Sequence, residues 1–535
     1  MKTTVKQFIL LLAFALCTAS TFGQQELSAE QWQEDLRYLQ QRVHTDFPFL
    51  FKKVKQETWD AEVEKLYADI PTLETHEIKV GLARMVSLFQ YGHTQITFTT
   101  IADKGVLPVN LHHFKDGIYV EGAQKAHQEL LGAKVLKVAG VPIDEALAMI
   151  RPVVPVENEY YFKRYGLRFL TVPAVLHAQG VVPAYTENVE LTVEKNGKLI
   201  EYTLPTIPQE ELSRDYGFTI PNEQWLATRT AGETPLYLKH LNEKYFYFEY
   251  LAESKTVYVR QSSVFDHETE KLAAFYKRLF EFVDANAVDK FIYDVRLNGG
   301  GNNQNNTALI KGIMARPAIN SPGKFFYIIG NDTFSACQNL TNEIETYTNA
   351  IMLGQPTSEN KNFYGDAKRV VLPNSELRAY LSVLWWQDKP QWDVSNATTP
   401  HFLKEMTFEE YRSNQDPVLQ MAMDYDYDTL ITNPMDHFTK LFMAGEMEQL
   451  QADAARIIAD PLYAHVPFEK EFVQIGENML ALGEHERALF LYQMFAQSFP
   501  ESAKIQEGLG KSYKGLGKTK EAEAAFAKAE ALGKN

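Results

Sequence analysis

Cysteine is scarce in this chain, and long apolar runs are missing. The 535 residues hold two cysteines, Cys17 and Cys337. Cys17 falls in a leader-like N-terminus, which leaves Cys337 without an intrachain partner and excludes a disulfide framework. No stretch beyond that leader reaches the ~18 apolar residues of a membrane-spanning helix, so the mature protein is expected to be soluble. His-Glu-x-x-His does not occur, and the 13 histidines form no close cluster with cysteine. No metal site and no cofactor are therefore expected. The lack of Gly-x-Ser-x-Gly removes the main support for an α/β-hydrolase. Gly510-Lys-Ser512 looks like the end of a phosphate loop, but Ile505 stands where such a loop needs its first glycine. Positive charge is also short. A formal charge of −16 argues against nucleic acid and anionic membrane surfaces as partners.

What is there divides into several segments, as the length requires. Residues 1–23 read as a signal peptide: Lys2 and Lys6 precede an apolar run from Phe8 to Cys17. Thr21-Phe-Gly23 or Cys17-Thr-Ala19 serves as the cleavage signal; a lipoprotein leader would need a small residue where Leu16 stands. Residues 24–100 read as a helical domain. Ser28 and Gln31 form a capping box, and Trp32, Leu36, Leu39 and Val43 recur at helical spacing. Residues 101–205 alternate short strands and turns, with one helix from Asp144 to Ile150. Residues 206–235 lack periodicity and read as a linker. Residues 236–430 alternate strands and helices, which predicts a mainly parallel sheet with helices on its faces. Residues 431–535 are helical. Gly476, Gly483, Ala488 and Tyr492 recur as Gly510, Gly517, Ala522 and Phe526, thirty-four residues on, the tetratricopeptide period. Such repeats either bind a protein partner on their concave face or serve as a capping or dimerising appendage.

Two apolar runs in residues 236–430 carry the chemistry. Phe291-Ile-Tyr-Asp-Val-Arg-Leu-Asn-Gly-Gly-Gly301 reads as a buried strand delivered to a glycine turn. Without Cβ atoms there, a substrate can approach the backbone and its N–H groups. Phe325-Phe-Tyr-Ile-Ile329 leads to Asn331-Asp-Thr-Phe-Ser335-Ala and a helix from Gln338 to Thr348. Taken alone, Ser335 is a helix N-cap or a nucleophile. His93, in Tyr91-Gly-His93-Thr94, is a helix C-terminal histidine or a base. Cys337 reads as a small buried residue rather than a nucleophile.

Asp294-Val-Arg-Leu-Asn-Gly-Gly-Gly301 resembles the Asp-x-Arg-x-Asn-x-Gly-Gly signature of the tail-specific, or C-terminal-processing, serine peptidases. That family includes the tricorn protease core and the interphotoreceptor retinoid-binding protein repeats. Asn331-Asp-Thr-Phe-Ser335-Ala resembles its nucleophile segment, and Gly354-Gln-Pro-Thr357 its Gly-Glu-x-Thr. The resemblance covers about residues 30 to 425. It implies a multidomain α/β protein with a ClpP/crotonase-like catalytic domain, an N-terminal helical domain and a PDZ-like domain over residues 101–205, here followed by C-terminal repeats. A PDZ-like domain either binds peptide at a sheet edge or only packs. The resemblance implies an exported, periplasmic or secreted serine-type peptidase acting on peptides or proteins, with Ser335 as nucleophile. Gly92-His93-Thr94 resembles the segment where the tricorn-like branch carries its histidine base. The branch that uses a lysine base has it where Asn360 stands here, so Lys361, one place out of register, ranks below His93. Asp393 lies near the tricorn-like position of the orienting acid. Backbone N–H groups of Gly300 or Gly301 and of Ala336 are expected to hold the oxyanion. The alternative is a catalytically inactive peptide- or ligand-binding scaffold of the same fold.

Overall fold

The computed structural model describes residues 27–426 and 430–533. The expected signal peptide and Cys17 lie outside the described residues. The architecture is mixed α/β in several parts. At its centre stands a six-stranded sheet in the order Phe246–Leu251, Thr256–Gln261, Lys290–Asp294, Phe325–Ile329, Ile351–Gly354, Phe402–Leu403. The first pair is antiparallel and the rest are parallel. The run Phe325–Ile329 is buried at every position. Unbroken apolar strands of this kind need cover on both faces. Helices Leu272–Ala285, Asn306–Met314 and Ala336–Tyr347 supply one face through Phe275, Leu279, Leu309, Ile313 and Leu340. The other face, with Tyr258, Ile292, Phe326 and Leu353, packs on Val418, Ala422, Phe438 and Tyr463.

That second face crosses the expected boundary between residues 430 and 431. The Phe402 and Tyr463 rings lie 5.6 Å apart, and the Ile431 N–H donates to the Tyr463 hydroxyl at 3.1 Å. The C-terminal helices therefore share a core with the sheet instead of standing apart from it. From Pro434 to Leu532 they form successive helices joined by short turns. The thirty-four-residue pattern has a direct cause: a Cβ at Gly476 or Gly508 would enter the Tyr492 ring, and one at Gly510 the Phe526 ring. Small residues face large ones between neighbouring helices.

The N-terminal helices, an antiparallel seven-stranded sheet and residues 364–381 share another core. That sheet runs Trp225–Ala227, Gly117–Gln124, Lys134–Val138, Asn188–Lys195, Lys198–Pro205, with Val109–Phe114 and Val141–Pro142 paired beside it. Residues 206–235 are not a free linker. Trp225–Ala227 pairs with Gly122–Gln124, and Trp225 is buried, its indole N–H donating to the Glu211 carbonyl at 2.9 Å. Arg214–Asp215 and Phe218–Thr219 form a hairpin whose Thr219 hydroxyl donates to buried Glu121 at 2.7 Å. Strands of two or three residues are too short for alternation to register. Two further helices, Glu159–Leu170 and Pro173–Ala178, interrupt what reads as strand and turn; Asn158 caps the first, accepting from the Tyr161 N–H at 2.8 Å.

One buried ion cluster ties the glycine-turn strand to the start of helix Pro417–Asp424. Arg296 lies 2.7 Å from Asp294 and forks onto Asp416 at 2.9 and 3.0 Å; the Tyr258 hydroxyl donates to Asp294 at 2.7 Å. Burial opposes the Arg296 charge, but Asp294 and Asp416 outweigh it and hold its pKa well above the ordinary value. Removing one partner strands the others in a water-poor site. Arg296→Met is therefore expected to lower unfolding free energy by about 3–5 kcal/mol. Urea unfolding followed by circular dichroism checks this, and a loss below 1 kcal/mol would mean that the carboxylates find other partners.

Candidate active site

Strand Phe325–Ile329 ends in a turn fixed by Thr333, whose hydroxyl accepts from the Gly330 N–H and donates to the Val295 carbonyl, both at 3.0 Å. The turn delivers Ser335 with φ 57° and ψ −129°. An L-residue with positive φ is strained, and such strain persists where surrounding structure imposes it. Helix Ala336–Tyr347 follows at once, yet the Ser335 side chain makes no capping hydrogen bond. Its Oγ instead lies 3.0 Å from His93 Nε2.

His93 sits between helix Thr75–Ser87 and strand Gln95–Ile96, which pairs with Ala379 and Tyr380. Two side chains hold the turn before it. The Gly92 N–H donates to buried Glu157 at 2.6 Å, and the Tyr161 hydroxyl donates to the Gly92 carbonyl at 3.3 Å. The imidazole stacks on Phe334 at 4.6 Å and on Phe363 at 6.0 Å. Its Nδ1 lies 3.1 Å from Glu359 Oε1. The contact is off the hydrogen-bonding line, and neither atom has a hydrogen-bond partner among the described residues. The other Glu359 oxygen accepts a short hydrogen bond from the Ser335 N–H. One buried carboxylate thus touches both the serine's backbone and the histidine ring. Burial opposes the imidazolium, but the Glu359 charge outweighs it, so the His93 pKa lies above the ordinary value. Burial pushes the Glu359 pKa up.

Asp393 does not orient His93. Its carboxylate accepts from the Ser395 N–H at 3.0 Å, and Glu359 occupies the place at Nδ1. Glu359 stands two residues past Thr357 and beside Asn360 and Lys361, and no motif in the sequence marks it as the partner of His93. Lys361 is pinned by both oxygens of Glu345 at 2.8 and 2.9 Å. Glu345 lies ten residues along the helix from Ser335, roughly 15 Å at the α-helical rise. Lys361→Ala is expected to leave turnover unchanged, measured on the same substrate as the parent protein. Cys337 is fully buried, and burial pushes its thiol pKa up, which leaves it unreactive.

The glycine turn lies against the serine. Gly300 has φ 102°, and a Cβ on it would sit 2.6 Å from Ser335 Cβ and 2.9 Å from the Ala336 nitrogen. Its own N–H is not free for an oxyanion, because it donates to Asn298 Oδ1 at 2.9 Å. The N–H groups of Gly301 and Ala336 have no acceptor among the described residues. Gly301 is held in place by a bridge to Val264. Gly300→Ala is expected to cut turnover by at least about 10², the scale of losing one oxyanion donor. Side-by-side steady-state kinetics tests this; an alanine enzyme as active as its parent would mean that the turn is not packed on the reacting group.

No protein-family model matches the chain, and no curated protein matches it. Solved structures do. Mature CPAF is 12% identical, with 75% of this chain and 99% of that one covered and a TM-score of 0.51. A serine-to-alanine mutant of CPAF is 11% identical over the same shares, with a TM-score of 0.52. The photosystem II D1 C-terminal processing protease is 11% identical over 70% of this chain and 93% of that one, with a TM-score of 0.35. In fold, the chain is similar to CPAF, a relative of the tail-specific peptidases.

Proposed function

We propose that the protein is an exported serine-type peptidase that hydrolyses peptide bonds of peptide or protein substrates. The observation that carries this reading is Ser335 Oγ at 3.0 Å from His93 Nε2, with Glu359 on the far side of the ring. His93 accepts the hydroxyl proton as Ser335 attacks the scissile carbonyl. Negative charge developing on the carbonyl oxygen is met by the N–H groups of Gly301 and Ala336. Protonated His93, steadied by Glu359, then gives its proton to the leaving amine, and a water activated by His93 releases the acyl group. The catalytic part belongs to the ClpP/crotonase-like class in this reading. The seven-stranded sheet is its PDZ-like module, and the C-terminal helix pairs are tetratricopeptide-like and offer a surface to a protein partner. The leader at residues 1–23 directs export to the periplasm or beyond. An inactive scaffold would have no need of a strained serine whose hydroxyl forgoes the helix cap for the imidazole.

The test is labelling of the full chain with a fluorophosphonate probe, followed by mass spectrometric mapping. An adduct on Ser335 is expected; no adduct, or one on another serine, overturns the reading. Because the base acts only when neutral, kcat/KM is expected to rise with pH. The His93 pKa is raised, so the midpoint should lie above 6.5. A pH–rate profile flat from pH 6 to 9 would remove His93 from this role.

A further inference from the structure

A lysine–glutamate pair grips the turn that carries His93. Gln90 has φ 55°, in the left-handed region that a residue with a Cβ avoids. It stands three residues before His93. Such a conformation persists where surrounding groups impose it. Lys53 Nζ donates to the Gln90 carbonyl at 2.6 Å. The same ammonium lies 4.3 Å from the centre of the Tyr91 ring. The Gly92 N–H donates to Glu157 Oε2 at 2.6 Å, and Glu157 Oε1 lies 3.6 Å from Lys53 Nζ. One ion pair therefore touches Gln90, Tyr91 and Gly92, the three residues immediately before the histidine. The turn has no room to shift, since a Cβ at Gly92 would lie 2.6 Å from the Tyr161 ring and 2.7 Å from that of Phe334.

The two partners come from distant parts of the chain. Lys53 precedes helix Gln56–Asp69, and Glu157 precedes helix Glu159–Leu170. The Glu157 side chain is fully buried, and its Oε1 makes no hydrogen bond among the described residues. For stability alone, an apolar residue of similar volume would serve as well there. The Glu157 charge reaches the candidate site. Burial opposes the His93 imidazolium; the Glu359 charge outweighs it, and Glu157 and Asp366 act in the same direction. Burial raises the Glu359 pKa, and the Glu157 charge adds to that rise while His93 opposes it. On the peptidase reading above, we propose that Lys53 and Glu157 are positioning residues for the reaction. Their ion pair holds residues 90–92 in the strained turn that sets the His93 ring beside Ser335. Both act through His93 and make no hydrogen bond to Ser335.

Glu157→Gln keeps an acceptor for the Gly92 N–H and loses the charge that holds Lys53. Lys53→Met keeps the stem and loses the ammonium. Each is expected to lower kcat about tenfold to 10²-fold, the scale of a small misplacement of a reacting group, with KM unchanged. The double variant should be no worse than the poorer single one, because the pair acts as a unit. Nuclear magnetic resonance titration of the full chain with isotope-labelled histidine adds a readout that needs no turnover; the His93 signal is the one missing from His93→Gln. Its midpoint should fall in Glu157→Gln, which removes a negative charge facing the ring, and rise in Lys53→Met, which removes a positive one. Should Glu157→Gln not fold, Lys53→Met alone, on a side chain that is 24% exposed, carries both measurements. Unchanged kcat, an effect confined to KM, losses that multiply in the double variant, or a midpoint that stays in place while the rate falls overturns the proposal. A parent protein that fluorophosphonate does not label would instead strike the peptidase reading, and the His93 midpoints would still decide whether the pair governs the ring.

Discussion

Ser335→Ala is expected to abolish both fluorophosphonate labelling and peptide hydrolysis. The hydroxyl is the only group lost. Its Oγ contacts His93 Nε2, and it makes no capping hydrogen bond whose loss would weaken helix Ala336–Tyr347. Alanine carries the same Cβ and meets the same positive φ, so backbone strain is unchanged. The melting temperature should therefore move by no more than a degree or two, within the range of a substitution that leaves packing and caps intact. Turnover should fall by about 10⁶, the size seen when a catalytic serine is removed from a serine protease. Calorimetry beside a sensitive kinetic assay separates these effects. An inactive alanine variant that also melts far below its parent would make Ser335 a structural residue.

The parts of this site that could be read from sequence are those held by local pattern. The buried run Phe325–Ile329 and the glycine turn at Gly299–Gly301 rest on strand composition and missing Cβ atoms, which a one-dimensional pattern carries. The Ser28 and Gln31 capping box is present as expected, because both partners lie within one helical turn. What escaped depends on distant contacts. Glu359 is defined by reaching across to His93 and Ser335, and nothing in Thr357-Ser-Glu359 states that reach. Asp393 has the right charge and a plausible place in the chain, but its carboxylate turns back to its own loop. Gly300 differs from Gly301 as an N–H donor only because Asn298 folds back on it. Residues 206–235 read as a linker because their strands borrow their pairing from Gly117–Gln124. The C-terminal helices carry a thirty-four-residue spacing in the sequence, and that spacing says nothing of the sheet face that they cover.

The base and its acid are separable in their effects. His93→Ala is expected to lower turnover by roughly 10²–10⁴, the usual contribution of a positioned general base. Ser335 would then have no acceptor for its proton, because Lys361 is held by Glu345. Glu359→Gln should act differently, since the imidazole remains beside Ser335. The glutamine loses the negative charge that raises the His93 pKa, while burial, which lowers it, persists. The midpoint of the rising pH–rate profile should therefore move to lower pH. The plateau rate should also fall, because the imidazolium formed during attack is no longer steadied. The same glutamine can still accept from the Ser335 N–H, so the nucleophile's backbone keeps its support. Asp393→Asn should alter neither midpoint nor plateau. A Glu359→Gln profile that falls in rate without any shift in midpoint would mean that the carboxylate holds the serine's turn and has no electrostatic hold on His93.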